Sequence, residues 1–485
     1  MKRFWQFLGV FLVVLVIVLI ANTLRFTRLQ PEVTPAADVA LDEAALVRHL
    51  SGGLAIPTVS FQDSTRFDST AFNRFHRYLE TVYPEIFDRL ESERVNGYSL
   101  LLKWQGKQSE LKPVLLMAHM DVVPVDPRTR SQWQQPPFSG AVADGFIWGR
   151  GAIDDKASLF SLLDAVQFLL NQGFQPERTI YLAFGHDEEL GGNRGAKRIA
   201  ERLARRGIKF DWVLDEGGAR TGGLMPGVQS DVAMVGVAEK GYVSVELLVE
   251  GTGGHSSMPP LETPVGILCK AIAALEEHQM PAELMPPVNQ MFQYLGPEMP
   301  FGMKLVMANL WLFQGLLTTQ LSQSPTTNAL IRTTTAPTML EGSIKDNVLP
   351  TRARGVVNFR IRPGDSVESV IQHIRKTVQD DRVNIRVLGT GRNPSPVSDV
   401  RAPQFQWLVR VIREVFPGTL VAPSLVVGGT DAKHFTELSP NVYRFIPVKL
   451  TPDDLHRFHG INERISIQNY IDMVKFYVHL LRKAA

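Results

Sequence analysis

The hydrophobic pattern divides the chain into a terminal apolar run and a long alternating remainder. From Phe4 to Ala21, "FWQFLGVFLVVLVIVLIA", only Gln6 breaks the run, which approaches the ~20 apolar residues needed to cross a bilayer. Lys2 and Arg3 precede it, and Arg25 and Arg28 follow. Residues 1–26 therefore read as an uncleaved signal-anchor. The rival is a cleaved signal peptide, against which the small-x-small cleavage pattern is poor after Ile20. A buried core helix fits less well, because the run lies at the terminus ahead of a polar linker with two prolines, assigned to residues 27–41. The leading basic residues favour a cytoplasmic N-terminus with the globular part in a periplasm, a lumen or the cell exterior, although Arg25 and Arg28 pull the other way.

Beyond the linker, continuous apolar runs alternate with helical patterns: "PVLLMAHMDVV", "ASLFSLLDAVQFLLNQG", "RTIYLAFG", "GAKRIAERLARRG" and "FDWVLDEGG". Such alternation predicts an α/β layer with a mainly parallel sheet, here over residues 42–239. Near residue 240 the style changes. "GYVSVELLVEG" alternates as a half-exposed strand does, a helix pattern follows at 264–278, and "GVVNFRIRPG" and "SVESVIQHIRKTVQD" add a strand and a helix. This predicts a smaller α+β domain at 240–388, inserted into the first, whose second part is 389–485. Two lobes imply a cleft between them.

Composition narrows the partners. At 485 residues the chain exceeds one ordinary core. With 51 basic against 49 acidic residues and no basic block, it lacks the electrostatic footprint of a nucleic-acid binder, which leaves a small molecule. The single cysteine, Cys269, excludes an intrachain disulfide and a thiolate-rich metal cluster, and its apolar context predicts a core position. Residues 281–325 are dense in Met, Phe and Leu. They could offer an apolar surface for an acyl chain or side chain, pack as an insertion within the lid, or face a membrane.

The chemistry gathers at strand ends, where open α/β sheets bind ligands. In "LLMAHMDVV" His119 and Asp121 are two apart and leave one face of a strand. A carboxylate beside a histidine can fix its tautomer and raise its basicity, although a structural hydrogen bond is the commoner use of such a pair. "GRGAIDDK" carries Asp154 and Asp155, more than a helix cap needs. "HDEELGG" has Asp187, Glu188 and Glu189 in a row, "VLDEGG" has Asp215 and Glu216, and "HRFHGINERI" has His456 and His459. Each alone is ordinarily a solvated turn, but structural demands do not account for all of them in one frame.

In order and rough spacing, "AHMD", "GRGAIDDK", "DEELGG", "LDEGG", "GTGGHSS", "NVLP" with "NFRIRPGD", and "HGINERI" resemble the motifs of the two-zinc aminoacylase and carboxypeptidase metallopeptidase family, over about residues 42–482. The resemblance implies a zinc-exopeptidase-like, three-layer catalytic domain interrupted by a lid that also dimerises. It implies two Zn²⁺ per subunit, one held by His119, Asp154 and Asp215, the other by Asp154, Glu189 and His459, with Asp154 bridging. Asp215 stands where several relatives have Glu, and His456 competes with His459. Glu188 would be the general base, Asp121 the orienter of His119, and His255 an oxyanion donor presented to the neighbouring subunit's site. Asn347 and Arg360 match substrate-binding positions, with Arg362 an alternative to Arg360. Gly429, Thr430 and His434 match a loop beside the site. His186 and Asp187 are left without a role. The implied reaction is hydrolysis of an amide next to a free carboxylate, in a peptide or an N-acyl amino acid, by a metal-bridging hydroxide. The alternative is a catalytically silent, membrane-anchored binding protein of the same fold; the retention of every implied ligand and of Glu188 disfavours it.

Overall fold

The computed structural model describes residues 1–223 and 227–484. Its centre is a ten-stranded mixed sheet whose middle is parallel: Ile180–Gly185, Val114–His119, Val213–Asp215 and Val442–Arg444 lie side by side. Val114–His119 and Ile180–Gly185 are buried along their whole length. That explains their unbroken apolar runs, since helices cover both faces of such a sheet. Among these, Lys156–Asn171 and Ile467–Ala484 pack against each other on one side, and Ala196–Arg205 sits on the other. Strand ends carrying His119, Glu188 and Glu216 thus open onto one rim.

The lid is a separate four-stranded antiparallel sheet, ordered Thr334–Glu341, Arg352–Ile361, Gly241–Glu250, Val383–Arg392. The helices Pro264–Glu277 and Val367–Val378 pack on it. Ile267, Leu268, Ala271 and Leu275 form the buried face of the first helix. Cys269 falls on the opposite side and is exposed, contrary to the core position expected from its apolar neighbours.

Two boundaries differ from the sequence pattern. Lid core residues come from Val243–Met280 and Ala353–Val383, whereas Leu284, Val288, Phe292, Leu295, Met307 and Ile331 join the catalytic core. The segment between is a set of helices, Pro286–Leu295, Phe301–Ala308, Leu310–Leu321 and Pro325–Ile331, the first of them lying on the strand Leu420–Val426. It interrupts the lid sequence yet belongs spatially to the other lobe.

The polar stretch after the N-terminal helix is also not a free tether. The buried Gln30 side chain donates to Val421 O at 2.8 Å and accepts from Val421 N–H at 3.0 Å, and Ala36 N–H donates to Glu414 O at 2.8 Å. Arg28 pairs with Glu298 at 2.6 Å and Lys475 with Asp38 at 2.6 Å. A side-chain amide that satisfies both backbone groups of one strand residue docks the chain with two hydrogen bonds at a single point.

Candidate metal centre

Three adjacent carboxylates at one strand end turn in three directions. Asp187 turns back and accepts the N–H groups of Arg194 at 2.8 Å and Gly195 at 2.7 Å, tying down the loop ahead of the helix Ala196–Arg205. Glu189 faces Asp154 and His459, with its Oε2 3.4 Å from His459 Nε2. Glu188 heads the short 3₁₀ turn Glu188–Leu190 beside them.

Asp121 holds this turn. Its carboxylate accepts the N–H of Glu188 at 3.1 Å, the N–H of Glu189 at 3.3 Å and the hydroxyl of Ser60 at 2.7 Å. It also orders His119: Nδ1–H donates to the Asp121 main-chain carbonyl at 3.0 Å and lies 3.4 Å from Asp121 Oδ1. With the proton on Nδ1, the Nε2 lone pair is left facing Asp154, the arrangement a ligating histidine needs.

Asp154 sits between two histidines. Its Oδ1 is 2.9 Å from His119 Nε2 and its Oδ2 is 3.1 Å from His459 Nε2. The Asp154–Asp155 peptide is cis. His459, rather than His456, meets the cluster. The carboxylate on the His119 side is Glu216, whose Oε1 is 3.8 Å from His119 Nε2. Two groups that could each hold a metal ion result, His119 with Asp154 and Glu216, and Asp154 with Glu189 and His459. Asp215 does not join them, contrary to expectation. It is the last residue of its strand, and its buried carboxylate is turned away to accept Ala432 N–H at 2.6 Å. "VLDEGG" offered both carboxylates, and only the direction of the strand end distinguishes them.

A residue that the sequence reading passed over fixes the geometry. Glu463, in "HGINERI", is fully buried, and its Oε1 accepts the N–H groups of Gly151, Ile153 and Asp154 at 2.9–3.2 Å. Its Oε2 pairs with Arg150 at 2.7 Å, and Arg150 donates onward to the carbonyls of His459 and Gly460 at 3.1 and 2.8 Å. One buried ion pair thus clamps the Asp154 turn to the His459 loop. Other polar residues near the rim hydrogen-bond within the fold. His186 hydrogen-bonds Ser99 at 2.6 Å among Phe67, Phe72 and Tyr98. His434 donates to Gly191 O at 3.0 Å, and burial holds its imidazole down to about 4, so it is neutral at physiological pH. Thr430 donates through both N–H and hydroxyl to the buried Glu239, which Arg392 and Arg444 neutralise, and the Arg392 guanidinium crowds the Cα of Gly429.

The donor set fits metal cations. Burial and the nearby Asp154 carboxylate push the Glu216 carboxyl well above its usual range. Burial, with the Asp431 carboxylate adding to it, does the same for Glu188. Hydrogen bonds to Asp154 and Glu189 raise His459 to about 10. Glu189 Oε1 is buried without a hydrogen-bond partner. Among the described residues no Lys or Arg pairs with Asp154, Glu189 or Glu216. Clustered carboxylates with imidazole nitrogens and no protein cation are the oxygen-and-nitrogen environment that divalent metals occupy.

Among the described residues no hydrogen bond or ion pair links His255, Asn347, Arg360 or Arg362 to this cluster. The ribbon formed by Gly254–His255 and Val348–Leu349 carries both His255 and Asn347, exposed. His255 Nδ1 accepts from Ser257 N–H at 3.1 Å, which puts the proton of the neutral ring on Nε2. Arg362 is taken up by Glu283 at 3.0 Å and Asp365 at 3.2 Å. Arg360, half-buried over the Tyr242 ring at 5.0 Å, has no carboxylate partner among the described residues.

The profile of peptidase family M20/M25/M40 matches residues 115–483. The chain belongs to this family. It is 41% identical over 484 residues to the N-fatty-acyl-amino acid synthase/hydrolase PM20D1 of Xenopus tropicalis, covering 98% of this chain and 93% of that one. It is 32% identical to carboxypeptidase S of Saccharomyces cerevisiae, covering 92% and 86%. Among solved structures, an M20 family metallo-carboxypeptidase from Sulfolobus solfataricus superposes with a TM-score of 0.66 at 21% identity, covering 91% of this chain and 99% of that one. Human carnosine dipeptidase 1 gives 0.63 at 18%, covering 90% and 95%. The last two establish the fold. As an M20 member the protein is a metal-dependent hydrolase of the peptidase and amidohydrolase kind.

Proposed function

We propose that the protein hydrolyses the amide bond next to a free carboxylate in N-acyl amino acids or peptides. The carrying observation is the convergence of His119, Asp154, Glu216, Glu189 and His459, with Glu188 beside them and an unpaired Arg360 in the lid. The activities for which its relatives are named, N-fatty-acyl-amino acid synthesis or hydrolysis and carboxypeptidase action, share this bond. His119, Glu216 and Asp154 would hold one Zn²⁺, and Asp154, Glu189 and His459 another. Such a pair polarises the substrate carbonyl and acidifies a water. Glu188, outside the ligand set, takes the water's proton and returns it to the departing nitrogen. Purified protein loaded with Zn²⁺ should turn over N-acyl amino acids or dipeptides and leave a phosphoester untouched. Inertness toward both amide classes, with metal bound, would favour the silent binding protein.

The ligand assignment makes its own prediction. Glu216→Gln should lose one of the two ions on exhaustive dialysis, while Asp215→Asn should keep both, as read by metal analysis per chain. The reverse result would restore Asp215 as the ligand.

Arg360 would receive the free carboxylate, because a guanidinium without a protein partner can bind one bidentately. Arg360→Ala should raise KM for free-acid substrates about ten- to a hundredfold, the scale of a charge-assisted hydrogen bond, and leave amidated analogues unchanged. Equal losses on both would make Arg360 structural.

A homodimer in which each lid supplies His255 to the neighbouring site belongs to the same proposal. An exposed Nε2–H is a donor suited to a developing oxyanion. Mixing inactive His255→Ala and Glu188→Ala chains should restore about a quarter of wild-type activity for a twofold dimer with random pairing. Persistent inactivity in proven mixed dimers would remove His255 from this role. The helix Lys2–Arg25 would anchor the enzyme in a membrane, with the catalytic lobes on the extracytoplasmic side.

A further inference from the structure

Resting on the reading that Lys2–Arg25 spans a bilayer, we infer that the helices Phe301–Ala308 and Leu310–Leu321 are a second membrane element, lying in the leaflet beside the C-terminal end of that span. The N-terminal helix is exposed over most of its surface. Leu8, Leu15, Leu19 and Asn22 form one half-buried stripe, and the helix packs on Phe301–Ala308. The polar contacts gather at its end. Asn22 donates to Asn309 Oδ1 at 2.9 Å, and Asn309 donates back to Leu19 O at 3.1 Å. The Phe26 ring lies against Gly296. Leu19 to Arg25 covers about 9 Å of helix axis, so the contact sits at the depth of the headgroup and upper acyl region, where interfacial helices lie about 5–10 Å deep.

The surface presented at that depth is mostly apolar, with Gln314, Thr319 and Gln320 its exposed polar members on the second helix. The helix Leu310–Leu321 has no buried residue. Phe301, Trp311 and Leu316 are 59%, 61% and 66% exposed, with Leu312 at 44%. Lys304 is the one charged residue between Glu298 and Arg332. Leu312 and Leu316, four positions apart, share one side of the helix, and Trp311 flanks them about 100° round from Leu312. An exposed apolar surface of this kind marks a contact, and its continuity with a membrane span makes the lipid leaflet its occupant. A tryptophan at the rim and a lysine able to extend its amine to the headgroups suit that placement.

Full-length chain in phosphatidylcholine vesicles provides the test. On a Cys269→Ser background, single cysteines Leu316→Cys, Leu12→Cys and Leu261→Cys carry an environment-sensitive fluorophore. Aqueous iodide and headgroup-level nitroxide lipid are the quenchers. Leu12 lies within the span, and Leu261 is fully exposed on the lid. The Leu316 probe should be quenched by nitroxide lipid and shielded several-fold from iodide relative to Leu261. Leu316 open to iodide with Leu12 shielded would overturn the inference while leaving the span intact. Both open would overturn the inference and the span together. Leu316 shielded from iodide yet untouched by nitroxide would mean that protein, such as a second copy, covers the patch, and would also overturn it. Leu316 in lipid with Leu12 open to iodide would refute the spanning helix and with it the inference, which places the patch beside that span.

Discussion

Glu188→Gln is expected to lower turnover by about 10²- to 10⁴-fold, the scale of a general base, while both metals stay bound. Asp121 holds the Glu188 and Glu189 backbone N–H groups and not their side chains, so the amide replacement leaves the turn intact. Burial, with Asp431 adding to it, raises the Glu188 carboxyl well above its usual range, which suits a group that must take a proton and give it back. Single-turnover kinetics with metal analysis on the same sample decides the matter. Metal loss in proportion to activity would reverse the roles of Glu188 and Glu189.

Glu463→Leu is expected to destabilise the protein by several kcal/mol and to weaken metal binding with it. Removing one partner of a buried ion pair costs about 3–5 kcal/mol because the other charge is left unpaired. Here the comparison with Arg150→Leu/Glu463→Leu is informative. An ion pair that served only itself would be largely recovered by the double apolar replacement. Glu463 Oε1 also accepts three backbone N–H groups of the Asp154 turn, and each one orphaned costs about 1–3 kcal/mol. The double variant should therefore stay destabilised and metal-poor in thermal unfolding and metal titration. Full recovery would mean that Glu463 does not organise the ligand loop.

The alternation of apolar runs with helical patterns made the α/β layer and the antiparallel lid readable, because buried parallel strands and half-exposed strands differ in period. The strand-end acids were readable for the same reason, as they follow runs that had to be core. What was not readable is direction at short range. Asp215 and Glu216 are chemically alike neighbours, and only the backbone at the strand end sends one to Ala432 and the other to His119. Asp187 and Glu463 look in sequence like solvated acids, whereas their carboxylates are consumed by backbone N–H groups, those of the following loop for Asp187 and of a loop some 310 residues away for Glu463. Residues 281–325 fall within the 240–388 span of the lid, and packing within the lid is one of three readings their composition allows. Leu284, Val288, Phe292, Leu295, Met307 and Ile331 pack on the catalytic core and no residue of 281–331 joins the lid core, a choice between two surfaces that periodicity does not encode.

The docking of Gln30 onto Val421 changes how the enzyme would search for substrate. A free 15-residue leash would let the catalytic lobes wander roughly 20 Å from their anchor and tumble about it. With the helix Lys2–Arg25 in a bilayer, as proposed, lobes pinned at Arg28, Gln30, Ala36 and Asp38 would instead keep one height and one attitude above the lipid surface. An amphiphilic substrate dissolved in that surface would then be met by diffusion in a plane toward an opening held at constant elevation, at a frequency set by the number of substrate molecules per unit of membrane area.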